Sequence, residues 1–324
     1  MIFSSTVPCN TPAGTSAAVY LARRFTYYSL EEWQEKINQN KIFINGRLCG
    51  PGDCVRRGDT VSYDAGEFRE PEADLSYRIV YEDEWILGIC KPGNLLVHRA
   101  GKCFRNNLIY QLRFVHDPPF PESHIVHRLD RETSGTVIVA KDSTQSSVFG
   151  KLFLEGRVEK RYKAVVRGSF DIETPYVIDC PIAQDCSSGI QYRHRVHKSG
   201  KPAITRIEHA EPCGDEHSFL ELVPVTGRTH QLRVHLSSIG FPIAGDRLYG
   251  MSAEEYLANG NRGYCCESPD ISRQALHCES LSFLHPHTGT RTVIRADLPG
   301  DMKAFAEKCR EPRRFRSKKN GIHK

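Results

Sequence analysis

The sequence predicts an α+β fold built on a mixed, largely antiparallel sheet, with a small domain ahead of it. Strand-like runs recur from Arg78 onward: "RIVYED", "WILGICKP", "TVIVAK", "YKAVVRG", "FLELVPV" and "LSFLHP". Helical patterns lie among them without the strict alternation of a doubly wound sheet. A charged, proline-containing, weakly hydrophobic stretch, "AGEFREPEADLSY" (65–77), reads as a linker. The expected division is therefore a module over 1–66, a linker over 67–77, a main domain over 78–300, and a C-terminal helix end with a basic tail over 301–324.

In the first module, "SLEEWQEKINQ" (29–39) starts with a Ser N-cap and places Glu32 at the capping-box position, which predicts a short helix. "KIFINGRLCG" follows as a strand running into an Asn45-Gly46 turn, a strong hairpin signal. "PGDCVRRGDTVSYD" adds a second turn and strand. A short helical unit followed by such a hairpin resembles the S4-type RNA-binding fold over about forty residues. The helix departs from that pattern, supplying Glu31, Glu32 and Glu35 against Lys36 where RNA-binding versions usually offer basic residues. RNA contact and a structural role both stay open for this module.

The composition narrows the function classes. No apolar stretch reaches the roughly 20 residues that cross a bilayer, which predicts no membrane partner. The opening "MIFSSTVPCNTPAGTSAAVY" has no basic region followed by an apolar one, so no secretory signal is read and a cytoplasmic protein is expected. Its lack of acids, with some Ser and Thr, also fits an organelle-targeting segment. Twelve cysteines are scattered singly apart from Cys265-Cys266, with no C-x-x-C, which argues against zinc or iron–sulfur sites and for reduced thiols. No P-loop or G-x-G-x-x-G supplies a nucleotide cradle. The net charge of +5 sits in the tail: "REPRRFRSKKNGIHK" (310–324) carries +6, leaving the other 309 residues at −1. Any polyanion binding by the body must rest on local patches such as "RVEKRYK" and "QYRHRVHKSGK" (191–201). The segment "MSAEEYLANGNRGYCCESPDIS" (251–272) reads as an insertion loop.

Three stretches carry chemistry. "HIVHRLDRETSGTVIVAKD" (124–142) sets Asp130 between Arg128 and Arg131, on a loop between a strand read in "SHIVHRL" and the run from Thr136. The helix after it, "STQSSVFGKLFLEG" (143–156), is expected to start on a Ser cap and end at Gly156. In "EGRVEKRYKAVVRG" (155–168), Tyr162, Ala164 and Val166 share one strand face, so Tyr162 is either a core tyrosine or a platform for a nucleobase. In "LELVPVTGRTHQLRVHLSSIG" (220–240), Thr229 is expected to cap a helix with Leu232, His235, Leu236 and Ile239 on one stripe. Arg233 lies on its shoulder near His230 and Ser237, and a half-buried arginine needs a counter-ion. Asp130 is the natural candidate, and Arg228 is a second basic group at the helix start.

Taken together, these stretches resemble the RluA family of RNA pseudouridine synthases. The likeness lies in "HRLDRETSG" (127–135), "EKRYKAVVRG" (159–168), "GRTHQLRVHLSSIGFPIAGDRLYG" (227–250), "CKPGNLLVH" (90–98) and "RQALHCESLSFLHPHTG" (273–289), in order over roughly 78 to 298. An S4-like start fits as well. The resemblance implies the pseudouridine-synthase fold for the main domain and isomerisation of uridine within ribosomal or transfer RNA. The N1–C1′ bond breaks, the uracil rotates, and C5 bonds to the same sugar carbon, with no metal or cofactor. Asp130 matches the family's catalytic aspartate, as nucleophile at C1′ or as base at C2′.

Tyr162 matches the tyrosine that stacks on the target base and assists removal of the C5 proton. Arg128 matches an arginine that fills the space of the flipped base. Arg233 is assigned to keep Asp130 ionised. Arg131 and Arg228 are candidate RNA contacts, and His127 is a candidate loop-positioning hydrogen bonder at the RNA site. RNA is the expected partner, DNA is not, and a monomer is expected. Two rival classes are a non-catalytic RNA-binding protein, which would not need the Asp130–Tyr162–Arg233 set, and a metal-dependent hydrolase. The latter would have to use histidines such as His277, His285 and His287, which lack ligand spacing and read as structural.

Overall fold

The computed structural model describes residues 2–25, 28–66, 69–258 and 271–310. Residues 311–324, which hold nearly all of the basic tail, and 259–270, the greater part of the expected insertion, lie outside them. The chain divides into two compact units, one of residues 1–72 with 99–106 and the other of 73–98 with 107 onward.

The first unit contains β1 (Ile2–Thr6), α1 (Ala17–Arg24), α2 (Leu30–Asn38), β2 (Ile42–Ile44), β3 (Arg47–Leu48) and β4 (Thr60–Asp64). Its sheet runs β1-β4-β2-β3. Ser29 and Glu32 form the reciprocal capping box on α2, which satisfies two N–H groups that a helix start otherwise leaves bare. Asn45 and Gly46 both take positive φ, 52° and 78°, in the hairpin turn between β2 and β3. Trp33 and Ile37 of α2 bury against Leu21, Ile42 and Val61. The expected linker is anchored on its described side: the Glu70 carboxylate accepts the backbone N–H groups of Phe104, Arg105 and Asn106. Phe104 stacks on Phe3 at 4.1 Å. Residues 99–106 therefore pack with the first unit.

The second unit supplies β5 (Arg78–Glu82), β6 (Ile86–Lys91), α3 (Leu108–Phe114), β7 (His124–Ile125), β8 (Ser134–Ala140), α4 (Ser143–Leu154), β9 (Glu159–Arg167), β10 (Tyr176–Asp179), β11 (Ile182–Gln184), β12 (His194–Val196), β13 (Ile204–Pro212), β14 (His217–Pro224), α5 (Gln231–Ser238), α6 (Ala253–Ala258), β15 (Leu276–Leu284), β16 (Arg291–Arg295) and α7 (Gly300–Arg310). The main sheet runs β10-β13-β14-β9-β15-β8-β6-β5, with β16 beside β15 and β7 beside β8. Among the described residues its one parallel pair is β8 with β15, so the sheet is mixed and largely antiparallel.

Every residue of β8 is buried, as a strand covered on both faces must be. Phe149 and Leu152 of α4 pack there with Ile89, Val137 and Phe283. A second cluster joins β9 and β14 to Leu232 and Leu236 of α5 and to Met302, Phe305 and Ala306 of α7. Tyr162 touches both clusters. No helix of the described residues is long and apolar enough to cross a membrane.

Three local expectations are corrected. The strand read in "SHIVHRL" stops at Ile125, because the His127 imidazole takes the Ile138 N–H at 3.0 Å where a further strand residue would have offered its carbonyl. The cap of α4 is Asp142, not Ser143: Asp142 is extended and its side chain accepts from Gln145 N–H. The cap of α5 is His230, not Thr229, with a left-handed φ of 57° and no side-chain cap bond.

Candidate active site

The loop bearing Asp130 closes on itself, with Thr133 N–H donating to the Asp130 carbonyl at 3.2 Å. It is fixed by cations from below. Lys91, fully buried, donates Nζ–H to the carbonyls of Pro92, Leu95 and Arg131 at 2.8, 2.9 and 3.2 Å. Arg273 donates to the next carbonyl, Glu132, at 3.0 Å, while Asp301 at the start of α7 holds the rest of its guanidinium at 2.7 and 2.9 Å. Gly135, the second residue of β8, takes φ 116° and pairs with Cys278 of β15; a Cβ there would lie 2.2 Å from the Cys278 carbonyl. These contacts are sequence-local or pass through backbone, and so the loop holds its shape without using the Asp130 side chain.

Arg233 reaches that side chain from α5. Its NH1 donates to Asp130 Oδ2 at 2.8 Å. Its Nε and NH2 donate to Asp246 Oδ2 and Oδ1 at 2.6 and 3.0 Å. The Asp246 carboxylate is itself fixed by the N–H groups of Leu248 and Tyr249 at 3.0 and 3.1 Å, and the guanidinium lies over the Tyr249 ring, 5.0 Å from its centroid. Asp246 was missed by sequence reasoning, although "AGDRLYG" held the signal. The glycine before it takes φ 72°, where a Cβ would meet the Arg273 carbonyl at 2.1 Å. Burial works against an ionised Asp130, but Arg233 above all, and Arg128 with it, override it and hold the carboxyl below its ordinary value. Asp130 is therefore a charged carboxylate at neutral pH.

A cavity of about 520 Å³ opens over Asp130, lined also by Arg128, Tyr162, Arg228, His230 and Arg233. Tyr162 stands on β9 opposite Cys278 of β15. Burial, Cys278 and Asp130 all push the phenol pKa up, so the hydroxyl keeps its proton at neutral pH. Lys160, a member of the basic patch "RVEKRYK" two residues earlier on β9, lines the same cavity and donates to the Thr226 carbonyl at 3.2 Å.

The remaining candidates divide. Arg128 is exposed at the cavity. Arg228 is exposed there too, with Nε bonded to the Pro202 carbonyl at 2.9 Å. His127 stacks on Phe153 with ring centroids 4.4 Å apart. Burial, with a smaller push from Lys160, takes its pKa down to about 3, as befits a ring whose Nε2 must accept an N–H. Arg131 is not among the residues that line the cavity, and its Nε is bonded to Asn94 Oδ1 at 2.8 Å. His277 is set between Ser134 Oγ and the Ala296 carbonyl, and His285 against Asp83.

Comparison with known proteins gives the family. Residues 86–238 match the family model described as RNA pseudouridylate synthase. The chain is 31% identical over 308 residues to ribosomal large subunit pseudouridine synthase D of Xanthomonas campestris, covering 93% of this chain and 91% of that one. It is 33% identical over 298 residues to the Vibrio cholerae protein of the same name, covering 90% of each. Among solved structures, human RNA pseudouridylate synthase domain containing 1 superposes with a TM-score of 0.54 at 28% identity, over 71% of this chain and 86% of that one.

Proposed function

The chain belongs to the RluA family of RNA pseudouridine synthases, isomerases that convert uridine within RNA to pseudouridine, and we propose that Asp130 carries the reaction and that large-subunit ribosomal RNA is the substrate. One observation supports the first part above all others. Asp130 is a carboxylate kept ionised by Arg233 at 2.8 Å, on a pinned loop, at the floor of a cavity that also exposes Arg128 and Tyr162. In this reading the carboxylate either bonds to C1′ as the N1–C1′ bond breaks, or takes the C2′ proton. The freed uracil turns on the Tyr162 ring, and C5 bonds to C1′ as the carboxylate–C1′ bond breaks in the first route, or as the C2′ proton is returned in the second; the C5 proton then leaves and N1 gains one. Reactant and product differ only in the site of attachment, so the balance requires no redox partner or cofactor.

The target base must leave its stack, at a cost of a few kcal/mol. Arg128, exposed at the cavity mouth, is positioned to take the vacated space, and Arg228 and Lys160 to meet phosphates. The ribosomal substrate rests on the names of the relatives. We place the protein in the cytoplasm as a monomer, with the first unit as an accessory RNA contact. The test is incubation of the purified protein, in EDTA, with large-subunit ribosomal RNA and with transfer RNA, followed by pseudouridine mapping. Conversion at defined positions of the ribosomal RNA alone supports the reading; conversion of transfer RNA alone overturns the substrate.

A further inference from the structure

The imidazole of His230 has no task in the reaction as described, yet the structure spends strain and burial on placing it. It takes φ 57° and ψ 19° at the start of α5, a conformation that is uncommon outside glycine and that clusters at functional sites. Its side chain is 12% exposed, lines the cavity, and brings Nε2 to 3.8 Å from Asp130 Oδ2. That is too far for a hydrogen bond.

The other face of the ring fixes where its proton sits. Tyr249 Oη accepts the His194 backbone N–H at 3.0 Å and stands 2.8 Å from His230 Nδ1. Nδ1 is the one hydrogen-bond acceptor of the Tyr249 hydroxyl among the described residues, so we assign the hydroxyl proton to that bond, and a neutral imidazole then carries its own proton on Nε2. Burial keeps the ring neutral, taking its pKa down to about 4 against the pull of Asp130. The result is a donor aimed past the reacting carboxylate into the cavity, with no acceptor at bonding distance among the described residues.

We propose that His230 Nε2–H donates to the ribose 2′-hydroxyl of the flipped uridine, so that the site reads the sugar as well as the base. The inference rests on Asp130 being the reacting carboxylate. Whether Asp130 attacks C1′ or deprotonates C2′, O2′ is at most two bonds from the reacting carbon. A donor 3.8 Å from the carboxylate oxygen that Arg233 holds is within a sugar's breadth of it. The 2′-hydroxyl is the group by which a site distinguishes RNA from DNA.

The experiment measures single-turnover rates on two RNAs, identical except that one carries 2′-deoxyuridine at the mapped target. His230→Asn tolerates the left-handed backbone, but its shorter amide falls short of the Nε2 position; His230→Gln restores an N–H at that reach. The ribo-to-deoxy rate ratio should fall about three- to tenfold in His230→Asn, as for loss of one hydrogen bond, and recover at least in part in His230→Gln. Because the ratio is taken within each variant, a loss of stability cancels. An unchanged ratio in His230→Asn overturns the proposal, and so does a His230→Gln variant with the same lowered ratio. Asp130→Asn on the all-ribose RNA separates the two readings: residual turnover near the parental rate removes the Asp130 reading itself, whereas a dead Asp130→Asn with an unchanged ratio removes only the role of His230.

Discussion

Asp246 holds the Arg233 guanidinium by two hydrogen bonds, at 2.6 and 3.0 Å, and leaves one edge, NH1, for Asp130 at 2.8 Å. The arginine is thus anchored by a wholly buried carboxylate and presented to a partly exposed one, with side-chain exposures of 0% and 22%. The two acids divide the work, since a cation fixed by Asp246 tunes Asp130 without depending on it for position.

Removing the anchor strands a buried cation. Asp246→Ala should cost about 3–5 kcal/mol in urea unfolding, the usual penalty for breaking a buried pair. Arg233→Lys keeps the charge but lacks the planar fork that serves two carboxylates. It should lower the single-turnover rate at least about tenfold, while RNA affinity stays within about twofold. Full activity in Arg233→Lys would show that only the charge matters.

The acid limb of stability should belong to buried histidines. His127 and His230 are taken down to about 3 and about 4, chiefly by burial, whereas the unfolded chain protonates them near 6.5. As pH falls from about 6.5 toward 4 the unfolded state binds protons that the native state refuses, so stability drops, by at most about 1.4 kcal/mol per pH unit for each ring. Asp130, depressed in the native state, adds a loss in the same direction only below about pH 4. Urea midpoints between pH 7.5 and 4.5 measure the slope. His127→Gln should flatten it, and an unchanged slope would place the effect elsewhere.

Much of this arrangement was legible in the sequence, and the parts that were not share a cause. The Ser29–Glu32 capping box, the buried run of β8 and the pairing of Arg233 with Asp130 follow from local pattern or from the need to neutralise a half-buried charge. Asp246 did not, because its partner is chosen by a loop returning beneath α5, and that return depends on the positive φ of Gly245. His230 was hidden by Thr229: a threonine before a helical stripe reads as a cap, whereas here the chain enters α5 through a left-handed histidine. The packing of 99–106 with the first unit is a long-range pairing that no periodicity records.

Tyr162 offers a ring face and a proton-bearing hydroxyl, and two substitutions separate them. Tyr162→Phe keeps the face, so RNA binding should hold within about twofold while turnover falls at least about tenfold. Tyr162→Leu loses the aromatic face as well and should also weaken binding, by up to about 1–3 kcal/mol. Equal turnover in the parent and Tyr162→Phe would reduce Tyr162 to a platform.

Lys91 should matter to catalysis without touching RNA. Lys91→Met removes one donor from the buried Leu95 carbonyl and from the part-buried carbonyls of Pro92 and Arg131, the last next to Asp130 and still bonded to the Leu95 N–H. A stability loss of about 3–5 kcal/mol is expected, together with a fall in the single-turnover rate at saturating RNA. A folded Lys91→Met variant with parental rate would show that the loop keeps its shape by other means.

The most direct measurement is the single-turnover conversion of the mapped uridine by Asp130→Asn, read alongside RNA binding. Asparagine keeps the size of the side chain and an oxygen for Arg233 but has no charge with which to attack C1′ or take the C2′ proton. Conversion should fall to background while RNA affinity is unchanged or slightly improved, a negative charge having been removed from beside the phosphates. Conversion near the parental rate would contradict the assignment of Asp130.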